Sequence, residues 1–343
     1  MRICIGVLLM VITVNGYSQT IRRVNNNMGV TGVNVYSTFA AAYSAAAAND
    51  IIIIEPSTTS YGDIVLTKPL KVYGNGYYLS TNTELKADKR TSQVGKVSFD
   101  TGSGGSAFYG LESSSSWIIY GVSNITLQRN YFNYAQVVNS NVANTLNTNV
   151  SNINISQNYI TGFVSSSATA GYTISNVLVT NNGVGYVYAP QDPGVQSWVV
   201  RNNTIFSQGS VGSQIFLVNS VFENNLLTNG GVAIFAGSNS TASYNVSNGG
   251  SFSGGVANQN NVSLTGEFIT GSNISPDEAY QIKAGSVLKT AGAGGTEVGM
   301  YGGATPYIVS GIPAIPSITG MLNSATGSNT VPLQVTISVK SNN

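Results

Sequence analysis

Arg201, Glu223 and Asp192 are the residues of this chain whose types and spacing suit bond-breaking chemistry. An arginine beside two carboxylates can hold a uronate or serve as a base, and the acids can bind a cation or move a proton. Only Asp192, Glu223 and Glu267 are acidic between Glu112 and Asp277. That is too sparse for a calcium site, which takes six to eight oxygen ligands, or for the carboxylate pair of a glycosidase. Arg201 and Glu223 each stand two positions before an asparagine of a recurring phrase. That register stacks them on adjacent rungs, so we read them first as an ion pair on an outer face, with the catalytic role as the alternative.

Other candidates thin out quickly. Asp100-Thr-Gly spells the aspartic-protease phrase, but that chemistry needs two carboxylates sharing a proton, and no second Asp-Thr-Gly or Asp-Ser-Gly occurs; we read a glycine-rich turn. The chain has no histidine, which removes Ser-His-Asp and Cys-His arrangements and the usual zinc sites and leaves Ser103 and Ser106 without a base of that kind. No metal or cofactor is implied. Tyr186, Tyr188 and Trp198 flank the segment 189–194. They are ligand-binding candidates that would stack on sugar rings, although we read the two-residue spacing of Tyr186 and Tyr188 first as that of inward-facing residues of one strand.

These residues must be positioned by a repeat. A phrase of alternating apolar residues running into asparagine recurs at Asn130, Asn158, Asn182, Asn203, Asn225 and Asn245, at intervals of 28, 24, 21, 22 and 20 residues. A drifting period near 22 with short strands marks a coil stacked turn on turn. Asparagine tolerates the left-handed backbone region that a sharp turn requires, so we expect these six in that conformation. Identical amides on successive rungs can also bond to one another as a ladder.

Ahead of the repeat, Phe39, Tyr43 and Ala47 fall four apart in a Ser/Ala-rich stretch with Ser37 or Thr38 as cap and Asn49 at its end, which predicts a short helix closing the coil's open edge. There follow Asn49-Asp50, the run Ile51–Ile54, Lys68-Pro69-Leu70 and Gly74-Asn75-Gly76. This series resembles the opening of secreted right-handed parallel β-helix proteins, the pectate-lyase-like architecture, which begin with an alanine-rich helix, an Asn-Asp pair, a β-branched run and a Lys-Pro-Leu strand ending in a glycine turn. Tyr280–Leu288 and Gly294–Gly303 are similar to that family's closing rungs. The resemblance implies an all-β fold, a single-stranded right-handed parallel β-helix with an N-terminal capping helix and a C-terminal β-strand cap. It also implies polysaccharide as the partner. Lyases of this architecture use Arg or Lys as base, often with calcium, and its hydrolases use clustered Asp.

Residues 1–18 read as a secretory signal, with Arg2, an apolar run from Ile3 to Val14, and Gly16 and Ser18 before a cleavage point. Cys4, the single cysteine, leaves with it. Removing Arg2 from 14 basic residues leaves 13 against 13 acidic ones, and a neutral chain gives no electrostatic reason to bind nucleic acid. No other stretch approaches the roughly 20 apolar residues of a spanning helix. We expect a capping segment over 19–50, coil over 51–310 in about eleven turns of about 22 residues, and a strand segment over 311–343 whose two strands, 318–322 and 333–339, pack on the last rung. The expected function is a secreted or surface β-helix component that binds carbohydrate without cutting it; the alternative is a divergent polysaccharide lyase or glycoside hydrolase. The lysines and arginine of the cluster 86–96 read as a solvated loop. Oligomeric state is not legible.

Overall fold

Apolar residues alternating with polar ones in runs of three to seven make strands with one side that must be covered. In the computed structural model of the chain, each run is covered by the turns before and after it and by the opposite walls of a coil. The described residues are 19–83, 85–86, 88–188, 197–206, 215–217, 219–229, 234–236, 239–249, 252, 255–324 and 326–342. The expected signal segment 1–18 and Asp192 lie outside them.

The chain winds as a parallel β-helix. One wall is an 11-stranded sheet that takes a strand from each turn, from Ile21–Val24 through Ile51–Ile54, Ile125–Gln128 and Ile174–Thr180 to Thr241–Ser243, with Val35–Tyr36 outside the first. All of its neighbours are parallel. A second wall is a column of short strands including Tyr131–Phe132, Gly183–Val184 and Val246–Ser247. The third stacks Ile64–Leu66, Val97–Phe99, Ser116–Tyr120 and Tyr134–Val138, and continues into Val164–Ser167. Long strands such as Tyr159–Ser167 bend from the second wall into the third, with a register shift between Ile160 and Phe163.

The walls enclose one core. The inward row of the first sheet reads Ile52, Val72, Phe108, Leu127, Ile155, Val179, Val200, Phe222, Ala242, all buried. Trp117 stacks on Phe132 (4.6 Å, 17°) and meets Phe108 edge-on (5.7 Å, 83°). Each such aliphatic side chain contributes about 1.5–3 kcal/mol by area, offset by the ordering of its own backbone. At the first turn the inward position falls to Arg22, which pairs with Asp50 and donates to the carbonyl of Ala45 at 2.7 Å. Burial pushes the Asp50 carboxyl up, but the Thr20 and Ala47 amides and the Arg22 charge outweigh it and hold the group below the usual carboxylate range. The helix Phe39–Ala45, capped by Thr38, lays Phe39 and Ala42 on this end.

The six asparagines form the expected ladder, for a different reason. None of them has positive φ; the residue before each does, namely Arg129, Gln157, Asn181, Asn202, Asn224 and Tyr244, at 54–59°. That residue makes the turn, which drops the ladder asparagine into the wall with no exposed surface. From Asn158 onward each Oδ1 accepts both the main-chain N–H and the Nδ2 of the asparagine one turn earlier, as Asn203 does from Asn182 at 2.9 and 3.0 Å; Asn130 Oδ1 accepts from the Leu111 amide at 3.0 Å. Each of the six Nδ2 groups also donates to a carbonyl of the preceding turn, as Asn182 does to Ile155 at 2.8 Å. Asn258 continues the ladder above Asn245 after only 13 residues.

The coil starts earlier and ends earlier than expected. Strand Ile21–Val24 already belongs to the first sheet, so the N-terminal segment is part of the coil and not only its cap. Regular pairing stops at Ser247, with isolated bridges to Val256 and Gln259. The segments expected as closing rungs are a return strap. Leu264, Ile282, Leu288 and Val298 cover the last turns through Leu226 and Val246. The chain then runs back along the outside, past Asn224, Asn202, Asn181, Gln157 and Arg129, to Tyr77. Glycine and small residues let the strap lie this close: the Gly302 position approaches the Glu297 carbonyl and Asn202 within what a Cβ would fill. The strap carries the antiparallel pair Ser317–Asn323 and Val335–Lys340 back to the early turns, where the Lys86 amide donates to the Ile318 carbonyl at 3.0 Å. The hairpin therefore does not cap the last rung.

Candidate functional site

Register places Arg201 directly beside Glu223 on the outward side of the first sheet. Arg201 Nε lies 2.7 Å from Glu223 Oε2, with 46% of the arginine and 21% of the glutamate side chain exposed. The same outward row continues with Gln128, Ser156 and Thr180 before the pair and Ser243 after it. The parallel outward row beside it presents Leu178, Val199 and Val221. Among the described residues Glu223 is thus the one acid in this stretch of wall, its charge already matched by Arg201. Among the described residues no group of three or more acids, cysteines or histidines could hold a metal. Lyase or hydrolase chemistry needs a second proton-transfer group within reach, and these neighbours provide hydroxyls and an amide only.

The aromatic candidates separate. Trp198 is fully buried in the core and cannot touch a ligand; its position in register with Val177 makes it an inward residue. Tyr186 and Tyr188 point outward, against the inward reading, because the strand turns the corner between Val184 and Val187, both buried, and the alternation changes phase there. Tyr186 joins an external stack with Phe163 (5.2 Å, 29°), which stacks on Tyr134 (4.6 Å, 12°). Tyr188, 37% exposed, registers beside Ser165, which registers beside Gln136. The result is a strip with one aromatic edge per turn, flanked by the Gln136 amide and the Tyr188 hydroxyl, with Ser165 buried between them. Burial pushes the Tyr186 hydroxyl up, so it stays a hydrogen-bond donor at neutral pH. The rings cover each other's faces, so the strip offers edges and polar groups instead of a flat platform.

The remaining candidates are structural. Asp100 opens the turn to Gly102 and accepts from the Thr101 amide at 2.8 Å. Ser103 and Ser106 are buried, and Ser106 Oγ donates to the Ser103 carbonyl and accepts from the Leu70 amide. Arg90 folds back on Asp88 in an exposed ion pair, as a solvated loop would.

Two polar constellations escaped the sequence reading. One is a clasp: Asn181 Nδ2 donates to the carbonyls of Met300 (3.0 Å) and Gly302 (2.7 Å), Gln157 Nε2 to Pro306 (2.6 Å), and Arg129 Nη1 to Ile312 (3.1 Å). The other is a buried box under the strap. Asp277 Oδ2 accepts from Tyr307 Oη (2.9 Å) and the Ser310 amide (2.8 Å), and Tyr307 bonds Tyr77. The signal for the clasp was present as the residue preceding each ladder asparagine. The signal for the box was hidden, since Tyr77 and Tyr307 are 230 positions apart. The chain matches no protein-family model, no curated protein and no solved structure.

Proposed function

We propose that this chain is a secreted or surface rod of the pectate-lyase-like plan that binds an extracellular polysaccharide without cutting it. The observation that carries the reading is the strip Tyr134, Phe163, Tyr186 with Gln136, Ser165 and Tyr188 beside it. A glycan lying along the coil axis would meet an aromatic edge at each turn, about every 4.8 Å, and hydrogen-bonding groups at the outer two, Gln136 and Tyr188, with Ser165 buried between them. The non-catalytic half of the reading rests on the state of the charged groups. Arg201 and Glu223 neutralise each other, and no described acid stands beside them to complete a proton-transfer pair. No helix of the described residues is long and apolar enough to cross a membrane, which is compatible with release from the cell.

The test is incubation with a panel of uronate and neutral glycans, read both for retention and for products. Retention that falls at least tenfold in Tyr186→Ala with Tyr188→Ala, and no unsaturated products or new reducing ends, is the expected result. Products that disappear in Arg201→Ala would replace the proposal by the lyase or hydrolase reading. Retention by no glycan would remove it.

A further inference from the structure

The hairpin Ser317–Asn323/Val335–Lys340 is amphipathic in the reverse of the usual sense. Residues directly opposite in an antiparallel pair share a face, and the register sets Ile318 against Val339 and Met321 against Ile337, with Val335 and Leu333 continuing the alternation. These six are 39–61% exposed. The other face, with Ser317 against Lys340 and Gly320 against Ser338, borders a crevice of about 190 Å³ shared with Asn82, Leu85 and the strap. Asn342 fastens the base through Ile315 and Arg129. Apart from Leu322, opposite Thr336 near the tip and 74% exposed, the side turned to the coil is polar and the side away from it apolar.

Two strands alone are marginal in water unless further strands or another element pack on their apolar face, and here that face is bare. We propose that a second copy of this chain covers the face, the two hairpins packing as a four-stranded sandwich across a two-fold axis. Area supports that occupant. Six half-exposed aliphatic side chains present about 100 Å² each, so two faces together remove about 1,200 Å² from water, the lower bound of stable specific interfaces. The face carries no charge, since Lys340 lies on the opposite side, so nothing repels an identical surface. A two-fold arrangement consumes the patch on both copies and stops there.

Light scattering on the eluting protein, over a hundredfold range of concentration, should read two chains. Ile337→Lys should read one chain with unchanged circular dichroism and melting, and Ser338→Lys, on the coil side, should remain at two. As a check independent of that substitution's folding, Ile337→Cys in a Cys4→Ser background should oxidise to a linked dimer, because Ile337 sits near the middle of the face. A wild-type monomer at the highest concentration, an Ile337→Lys dimer, an open-ended series of larger species, or a cysteine variant that stays unlinked would each overturn the proposal.

Discussion

Asn181 and Asn182 are neighbours in the chain and face opposite ways. Asn182 points into the wall and bonds Asn203 and Ile155; Asn181, at φ 56°, points out and holds the return strap by the carbonyls of Met300 and Gly302. One turn of backbone therefore serves both the vertical continuity of the coil and the attachment of its cover. The same division recurs at Gln157–Asn158 and Arg129–Asn130.

The two positions should respond differently to substitution. Asn182→Ala leaves the Asn158 amide and Nδ2 without their acceptor and the Ile155 carbonyl without its donor, all buried. The expected loss is about 2–4 kcal/mol in denaturant unfolding of the whole coil. Asn181→Gly keeps the left-handed turn and removes only three bonds to the strap, to Met300, Gly302 and Thr305. It should cost about 1–2 kcal/mol and raise amide exchange at 299–303 while leaving the coil's exchange unchanged. Equal global destabilisation by both would contradict the division.

The vertical half of this plan was legible because it repeats. Alternation fixed which residues face inward on the first sheet, and the interval between asparagines located the ladder. The reason assigned to the ladder was misplaced by one residue, since Asn, Gln and Arg all occupy the turn position and no single type marks it. The strap was read as further rungs because Tyr280–Leu288 and Gly294–Gly303 resemble the closing rungs of the β-helix family, whose glycine and small residues suit a strap as well. Its true place depends on contacts across more than a hundred residues, such as Asn181 with Gly302, which no local pattern encodes. The inward reading of Tyr186 and Tyr188 failed for a local cause: the corner after Val184 shifts the alternation by one, and a sequence read with period two carries no mark of that shift.

Both tryptophans, Trp117 and Trp198, are fully buried, so intrinsic emission reports the core and not the surface. Emission should be blue-shifted, resist a collisional quencher, and stay constant during titration with a retained glycan. Trp198→Ala should cost about 3–5 kcal/mol through the cavity it leaves. A glycan-induced change in emission would place the ligand against the core instead of on the Tyr186 strip.

The ion pair Arg201–Glu223 is a surface pair with a half-exposed guanidinium. A double-mutant cycle with Arg201→Ala and Glu223→Ala should give a coupling of about 0–1 kcal/mol, falling further in 1 M salt, where charges are screened within about 3 Å. Glycan retention should be the same in all three variants. Loss of retention in either single variant would assign the pair to ligand binding.

The buried tyrosine box should set the alkaline limit of the fold. Burial, together with the nearby Asp277 carboxylate, pushes the Tyr77 and Tyr307 hydroxyls far above the usual tyrosine range, and burial does the same at Tyr301. A tyrosine is charged when it loses its proton, so a raised folded value means the unfolded chain gives up that proton first. The stabilisation is whole below about pH 10, the unfolded value, and declines as pH rises from there towards the folded values. In an alkaline titration, tyrosinate absorbance should rise first for exposed rings. The fraction belonging to the box should appear only with loss of the β-sheet circular dichroism signal. Tyr307→Phe, which cannot ionise, should lessen the decline above pH 10 at the cost of the bond to Asp277, lowering stability at neutral pH. If the box tyrosines titrate with the exposed ones while the sheet signal persists, the strap does not seal them.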